Sequence, residues 1–143
     1  MSGIFNLGDA TITTALTNQV ITDGVSASGV AQSLIDGLDW MAAVTIYASL
    51  IYGSGGTTVS AIVQTSIDQG ANWIDVARFD FTTANASKVV NLSGLLSKAV
   101  SAVSALGSEG VFDGVLGDRL RCKLTTTGVY SGNTSVSIRA AVR

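Results

Sequence analysis

Apolar and polar residues alternate along much of the chain, most clearly over residues 40–52. There Val44, Ile46, Ala48 and Leu50 share one parity, and Thr45, Tyr47, Ser49 and Ile51 the other. Successive side chains of an extended strand point to opposite faces, so this pattern predicts a strand with one buried and one semi-apolar face. After the Gly-Ser-Gly-Gly run at 53–56, residues 57–66 repeat the alternation with Val59, Ala61 and Val63. The two segments read as antiparallel neighbours joined by a hairpin. In the next segment Trp73, Ala77, Phe79 and Phe81 share a parity that Ile74 and Val76 interrupt. A bulge there, or cover on both faces, is the implied cause. Residues 87–94 add a short strand ended by Gly94.

The first forty residues carry weaker signals. Residues 10–16 and 19–22 read as extended, with a turn at Asp23-Gly24, and residues 1–20 read as an N-terminal arm or an edge strand. Residues 24–35 supply one or two strands with Gly29 as a bulge, closed by a turn at Asp36-Gly37. The C-terminal third is clearer. Leu120, Cys122 and Leu124 alternate with Arg119, Arg121 and Lys123, and Val136, Ile138, Ala140 and Val142 alternate with a second set that includes Arg139 and Arg143. Read as a hairpin, these strands gather Arg119, Arg121, Lys123, Arg139 and Arg143, five of the eight basic residues, on one outer face. So many cations on one hairpin of a charge-poor chain suggest a face that meets a neighbouring subunit.

Residues 94–106 fit two patterns. Leu95, Leu96, Ala99, Val100, Val103 and Leu106 make a helical stripe, while the alternating Val and Ser suit an extended crossing, and the alanine content tips only local propensity. About eight short strands with turn signals every 8 to 12 residues or so predict an all-β chain. A single antiparallel β-sandwich over residues 1–143, jelly-roll-like, satisfies that count, and a closed barrel satisfies it too.

Composition narrows the function. Charged residues are 13% of the 143, against roughly 25% in ordinary soluble domains, so part of the surface is expected to be covered. Proline is absent, which leaves strand edges unblocked and suits assembly with copies of itself. A net charge of −2 and the lack of any basic run disfavour nucleic acid. There is no histidine, hence no imidazole base, no Ser-His-Asp triad and no common zinc set, so neither an enzyme nor a cofactor is expected. The lone Cys122 lies on the apolar parity, reads as a core residue and points to synthesis in a reducing compartment. The first twelve residues lack the features of a signal peptide, and the apolar run over 40–52 is broken by Thr45, Tyr47 and Ser49, so no membrane span is expected.

Ser66-x-Asp68-x-Gly70-x-x-Trp73 has the spacing of an Asp-box. In such a turn the serine and aspartate bond backbone amides, the glycine takes a left-handed conformation and the tryptophan packs beneath, so all four roles are structural. A glycosidase would need two converging carboxylates, for which Asp68, Asp75 and Asp80 are the nearest group; Asp75 and Asp80 fall on opposite parities unless a bulge intervenes. The loops around Asp68, Asp113 and Asp118 lack the density of acidic residues of a calcium site, and turn chemistry accounts for them. Trp40, Tyr47, Tyr52 and Tyr130 are candidate stacking platforms if the chain is instead a carbohydrate-binding module or adhesin.

Residues 52–83, 88–94 and 117–143 resemble small virion proteins of tailed bacteriophages, particularly those infecting alphaproteobacteria. The most specific parts are the run from Gln64 to Phe81, with its Asp-box and Trp-x-Asp-Val-Ala-x-Phe-x-Phe sequence, and Gly117-Asp-Arg-Leu-Arg121. The resemblance extends over residues 40–143. It implies a β-sandwich structural subunit of the head, neck or tail, made in the bacterial cytoplasm and destined for the virion. The implied partners are the major capsid or connector subunits and copies of the chain itself.

Overall fold

The computed structural model describes residues 2–143. All of its regular structure is β: β1 (Gly3–Thr11), β2 (Gln19–Val20), β3 (Gly24–Val25), β4 (Ala31–Gln32), β5 (Ala43–Ile51), β6 (Ser54–Gly55), β7 (Thr58–Ser66), β8 (Ile74–Phe81), β9 (Ala86–Ser93), β10 (Gly110–Val111), β11 (Arg119–Thr127), β12 (Tyr130–Ser131) and β13 (Ser135–Val142). The total of thirteen exceeds the expected eight because six of these strands are two-residue pairings at turns and edges.

Two antiparallel sheets form the sandwich, one in the order β1-β13-β5-β9 and the other β10-β8-β7-β11-β2. The pairs nest: β1 with β13, β2 with β11, β5 with β9, β7 with β8. The chain is therefore one long ribbon doubled back at the turn over 66–73, wound so that successive pairs fall in alternate sheets. That is jelly-roll winding, and setting β10 aside it uses eight strands of the two sheets.

Parity decides what each long strand buries. Val44, Ile46, Ala48 and Leu50 of β5 face Val59, Ala61 and Val63 of β7, with Phe79 and Phe81 of β8, Leu120, Cys122 and Leu124 of β11, and Val136, Ile138 and Ala140 of β13 in the same core, all 3% exposed or less. Each large aliphatic or aromatic side chain so buried contributes about 2 kcal/mol. Burial of Cys122 pushes its thiol up to about 12, which suits a core residue and not a reactive one.

The winding corrects the expected pairings. β5 and β7 lie in different sheets, as do β11 and β13, so neither pair is a hairpin. The 53–56 run turns a corner between sheets, with Gly55 and Gly56 both left-handed (φ 71° and 69°) and β6 pairing with β12. A Cβ on Gly56 would lie 2.3 Å from the Tyr130 ring, which is fully buried there and donates its hydroxyl to the Thr82 carbonyl.

Further corrections fall in the first half. The first strand is Gly3–Thr11 and not 10–16, and it forms an edge of its sheet. Gly24 lies in β3, and Gly29 (φ 86°) sits in the β3–β4 turn and not in a bulge. Residues 95–109 form neither helix nor strand. They run as irregular chain beside β8, held by the Leu106 amide on Asp75 Oδ2 (3.1 Å) and by Arg78 Nη1 on the Leu106 carbonyl (2.8 Å).

Candidate interaction surfaces

The turn over 66–73 is built from its own side chains. Ser66 Oγ accepts the Gly70 amide (2.9 Å) and donates to Asp68 Oδ1 (2.9 Å); Asp68 in turn accepts the Asn72 backbone and side-chain amides at 2.8 and 2.7 Å. These bonds, the Asn72 side chain first, hold the Asp68 carboxyl below its ordinary range. Gln69 and Gly70 are both left-handed (φ 63° and 88°). Gly117 closes the base, since a Cβ there would lie 1.8 Å from the Ser66 carbonyl oxygen. Trp73 is half-buried, with the Arg121 guanidinium stacked 4.2 Å from its ring centroid.

A register slip at Val76 sets Gln64 opposite Asp75 while Val63 faces Ala77. This bulge moves Asp75 onto the same outer face as Arg78 and Asp80, the case in which the two aspartates share a side. Both are engaged. Asp75 accepts the Gln64 side-chain amide (2.6 Å) and the Leu106 backbone amide, and Asp80 accepts Ser60 Oγ (3.0 Å) and Arg78 Nε (2.9 Å). Arg121 donates to Gln64 Oε1 (2.8 Å), so Arg121, Gln64, Asp75 and Leu106 form one chain of hydrogen bonds.

The five cations do not share a face. Arg119, Arg121 and Lys123 lie on β11 in one sheet, and Arg139 lies on β13 in the other, with Arg143 exposed just past it. Arg119 pairs with Asp118 (3.0 Å), holding that carboxyl low. Lys123 sits between Ile62 and Val20 in the sheet register. Arg139 pairs with Asp9 (3.1 Å), and with help from Ser137 and Asn6 it lowers the Asp9 carboxyl to about 2.

The most unusual surface feature is a set of exposed apolar side chains; the semi-apolar parity over 40–52 accounts for Tyr47 and Ile51, and Trp40 and Tyr47 are two of the four candidate aromatic platforms. Trp40 is 96% exposed and left-handed (φ 65°), a conformation that costs a bulky residue about 1 kcal/mol or more. Ile67 at the Asp-box turn and Leu95 and Val100 in the irregular segment beside β8 are also exposed. On the outer face of the first sheet Ile4, Tyr47, Ile51 and Val89 are exposed among small polar residues. Of the candidate aromatic platforms, Tyr130 is buried and Tyr52 is tied through its hydroxyl to Gly55, leaving Trp40 and Tyr47 open. Tyr47 lines a shallow groove with Ile51, Asn85 and Ser87, and Trp40 does not.

No protein-family model and no curated protein matches the chain. Among solved structures, one chain of the cryoEM structure of mud crab dicistrovirus is similar, at a TM-score of 0.36 and 10% identity, covering 99% of this chain and 67% of that one. The jelly-roll assignment rests on the sheet order and nested pairing described above.

Proposed function

We propose that this chain is a non-enzymatic structural subunit of a virus particle, acting by burying surface against its neighbours. The observation that carries the reading is the exposed apolar set on a charge-poor jelly roll, above all Trp40 held outward in a left-handed conformation. A large aromatic held outward at a loop tip is the residue type that dominates interface energies. The carboxylates support the same reading, because Asp68, Asp75 and Asp80 are each spent on local hydrogen bonds.

The finer assignment is a capsid decoration or head-to-tail (neck or collar) accessory of a tailed bacteriophage, with major capsid or connector subunits as partners. It rests on the resemblance of the Gln64-to-Phe81 run and of residues 117–121. Co-sedimentation of the purified chain with capsid or connector assemblies of the same virus tests it. Saturable binding that Trp40→Ala weakens at least about tenfold is expected, as for loss of an aromatic anchor. No binding to either assembly overturns it. A carbohydrate-binding module is the second reading, favoured by the same open Trp40, and glycan-array binding lost in Trp40→Ala would select it.

A further inference from the structure

The two sheets have four edges, and they differ in protection. β2 and β10 are two residues long, and β1 carries a register slip at Leu7. β9 runs eight residues against β5 with no slip, contains no proline and has Lys88 as its single charge. That ammonium is directed across to the other sheet, 2.6 Å from the Glu109 carboxylate and 2.6 Å from the Asp80 carbonyl. Short strands, bulges, prolines, inward charges and covering loops are the usual means of keeping edges from pairing. β9 has only the inward Lys88, neutralised by Glu109, and a loop over its last residue, where Asp113 Oδ1 accepts the Ser93 amide (2.8 Å) and the Gly114 amide donates to the Ser93 carbonyl (3.1 Å), so the edge is open over residues 86–92. Beside it the seam between the sheets gapes as a groove of about 380 Å³ lined by Phe79, Val90 and Val111 together with the charged Arg78, Lys88 and Glu109.

We propose that a second copy of this chain docks at this edge, β9 antiparallel to β9 across a two-fold axis, joining the two four-stranded sheets into one. The inference deepens the reading of the chain as an assembling subunit and rests on it. Side-chain order selects the register. Centred on Val89, the pairing sets Val89 opposite Val89, Ser87 opposite Asn91, Lys88 opposite Val90 and Ala86 opposite Leu92. The exposed face then has an apolar pair at the axis flanked by two polar pairs able to hydrogen-bond, and no like charges face each other. Centring on Val90 sets Val89 against Asn91 on the exposed face, whereas Lys88 faces an aliphatic side chain in either register. The chosen register covers Val89, which is 65% exposed in the single chain, and roofs the groove. Strand addition draws affinity from main-chain hydrogen bonds and specificity from alternate side chains, and a two-fold contact needs only one self-complementary surface.

Cysteine crosslinking tests the register, because the native Cys122 is buried. Facing residues of an antiparallel pair lie about 4.5–5.5 Å apart at Cα, within disulfide reach. Val89→Cys oxidised with glutathione disulfide is expected to give a covalent dimer as its main product, while Ile4→Cys on the β1 edge stays monomeric. In the native-cysteine background, Val89→Lys sets two ammonium groups opposite each other and is expected to raise the dimer dissociation constant about tenfold or more by mass photometry, with the far-UV spectrum unchanged. A wild type that stays monomeric at high concentration, equal crosslinking at positions 4 and 89, or a Val89→Lys dimer of native strength overturns the pairing. The virion reading fails separately, on the absence of capsid or connector binding, whatever β9 does.

Discussion

Ser66 carries an unusual share of the local order for one hydroxyl. It is fully buried, accepts the Gly70 amide and donates to Asp68, so removing it leaves a backbone amide without its partner. Ser66→Ala is expected to lower stability by about 1–3 kcal/mol in urea denaturation. A loss below about 0.5 kcal/mol would mean that the turn is held by Asp68 and the flanking strands alone. Asp9 gives a second test at this scale. Its carboxyl is depressed to about 2, first by the Arg139 hydrogen bonds, so the stability it contributes is present above the ordinary value of 3.8 and is lost as pH falls from about 4 toward 2. A carboxyl NMR titration should place the Asp9 midpoint near 2, and Arg139→Gln should return it toward 3.8. An unchanged midpoint in the variant would remove Arg139 as the cause.

At the scale of elements, parity was legible in the sequence and pairing was not. The alternation in β5, β11 and β13 names the residues each strand buries, because period-two burial is a local property. Which strands lie side by side depends on where each connection crosses, and a glycine-rich corner at 53–56 reads like a hairpin turn until Gly55 and Gly56 are seen leading into the opposite sheet. The turn over 66–73 is the exception, since its side chains specify a β7–β8 hairpin from within. The grouping of five cations failed for the same reason as the β11–β13 hairpin. The exposed apolar residues were only partly legible, in the semi-apolar parity of β5 and in Trp40 and Tyr47 among the four candidate aromatics; which of those aromatics end up exposed, and whether Leu95 and Val100 do, is decided by tertiary packing. The nested pairing also orders folding. β7 and β8 close over the shortest loop of the ribbon and β1 with β13 over the longest. Ser66→Ala should therefore mainly slow folding, with a φ-value above about 0.5, and Val136→Ala should mainly speed unfolding. The reverse assignment in stopped-flow chevrons would contradict the ribbon closing from its tip.

At the scale of the molecule, the parts divide by what they leave unsatisfied. The core and the Asp-box turn are complete within one chain. The exposed apolar loop residues, Trp40 first among them, the outer face of the first sheet and the β9 edge before Ser93 are not, and each is the kind of surface that a neighbour covers. A charge content of 13% fits a subunit that spends its life among other subunits more easily than a monomer surrounded by water. The most direct measurement is electron cryo-microscopy of particles purified from the source culture, with mass spectrometry of their protein content. The account predicts this chain at many symmetry-related copies per particle, its jelly roll resolved against shell or connector subunits with Trp40 covered. Particles that lack the chain would contradict the account.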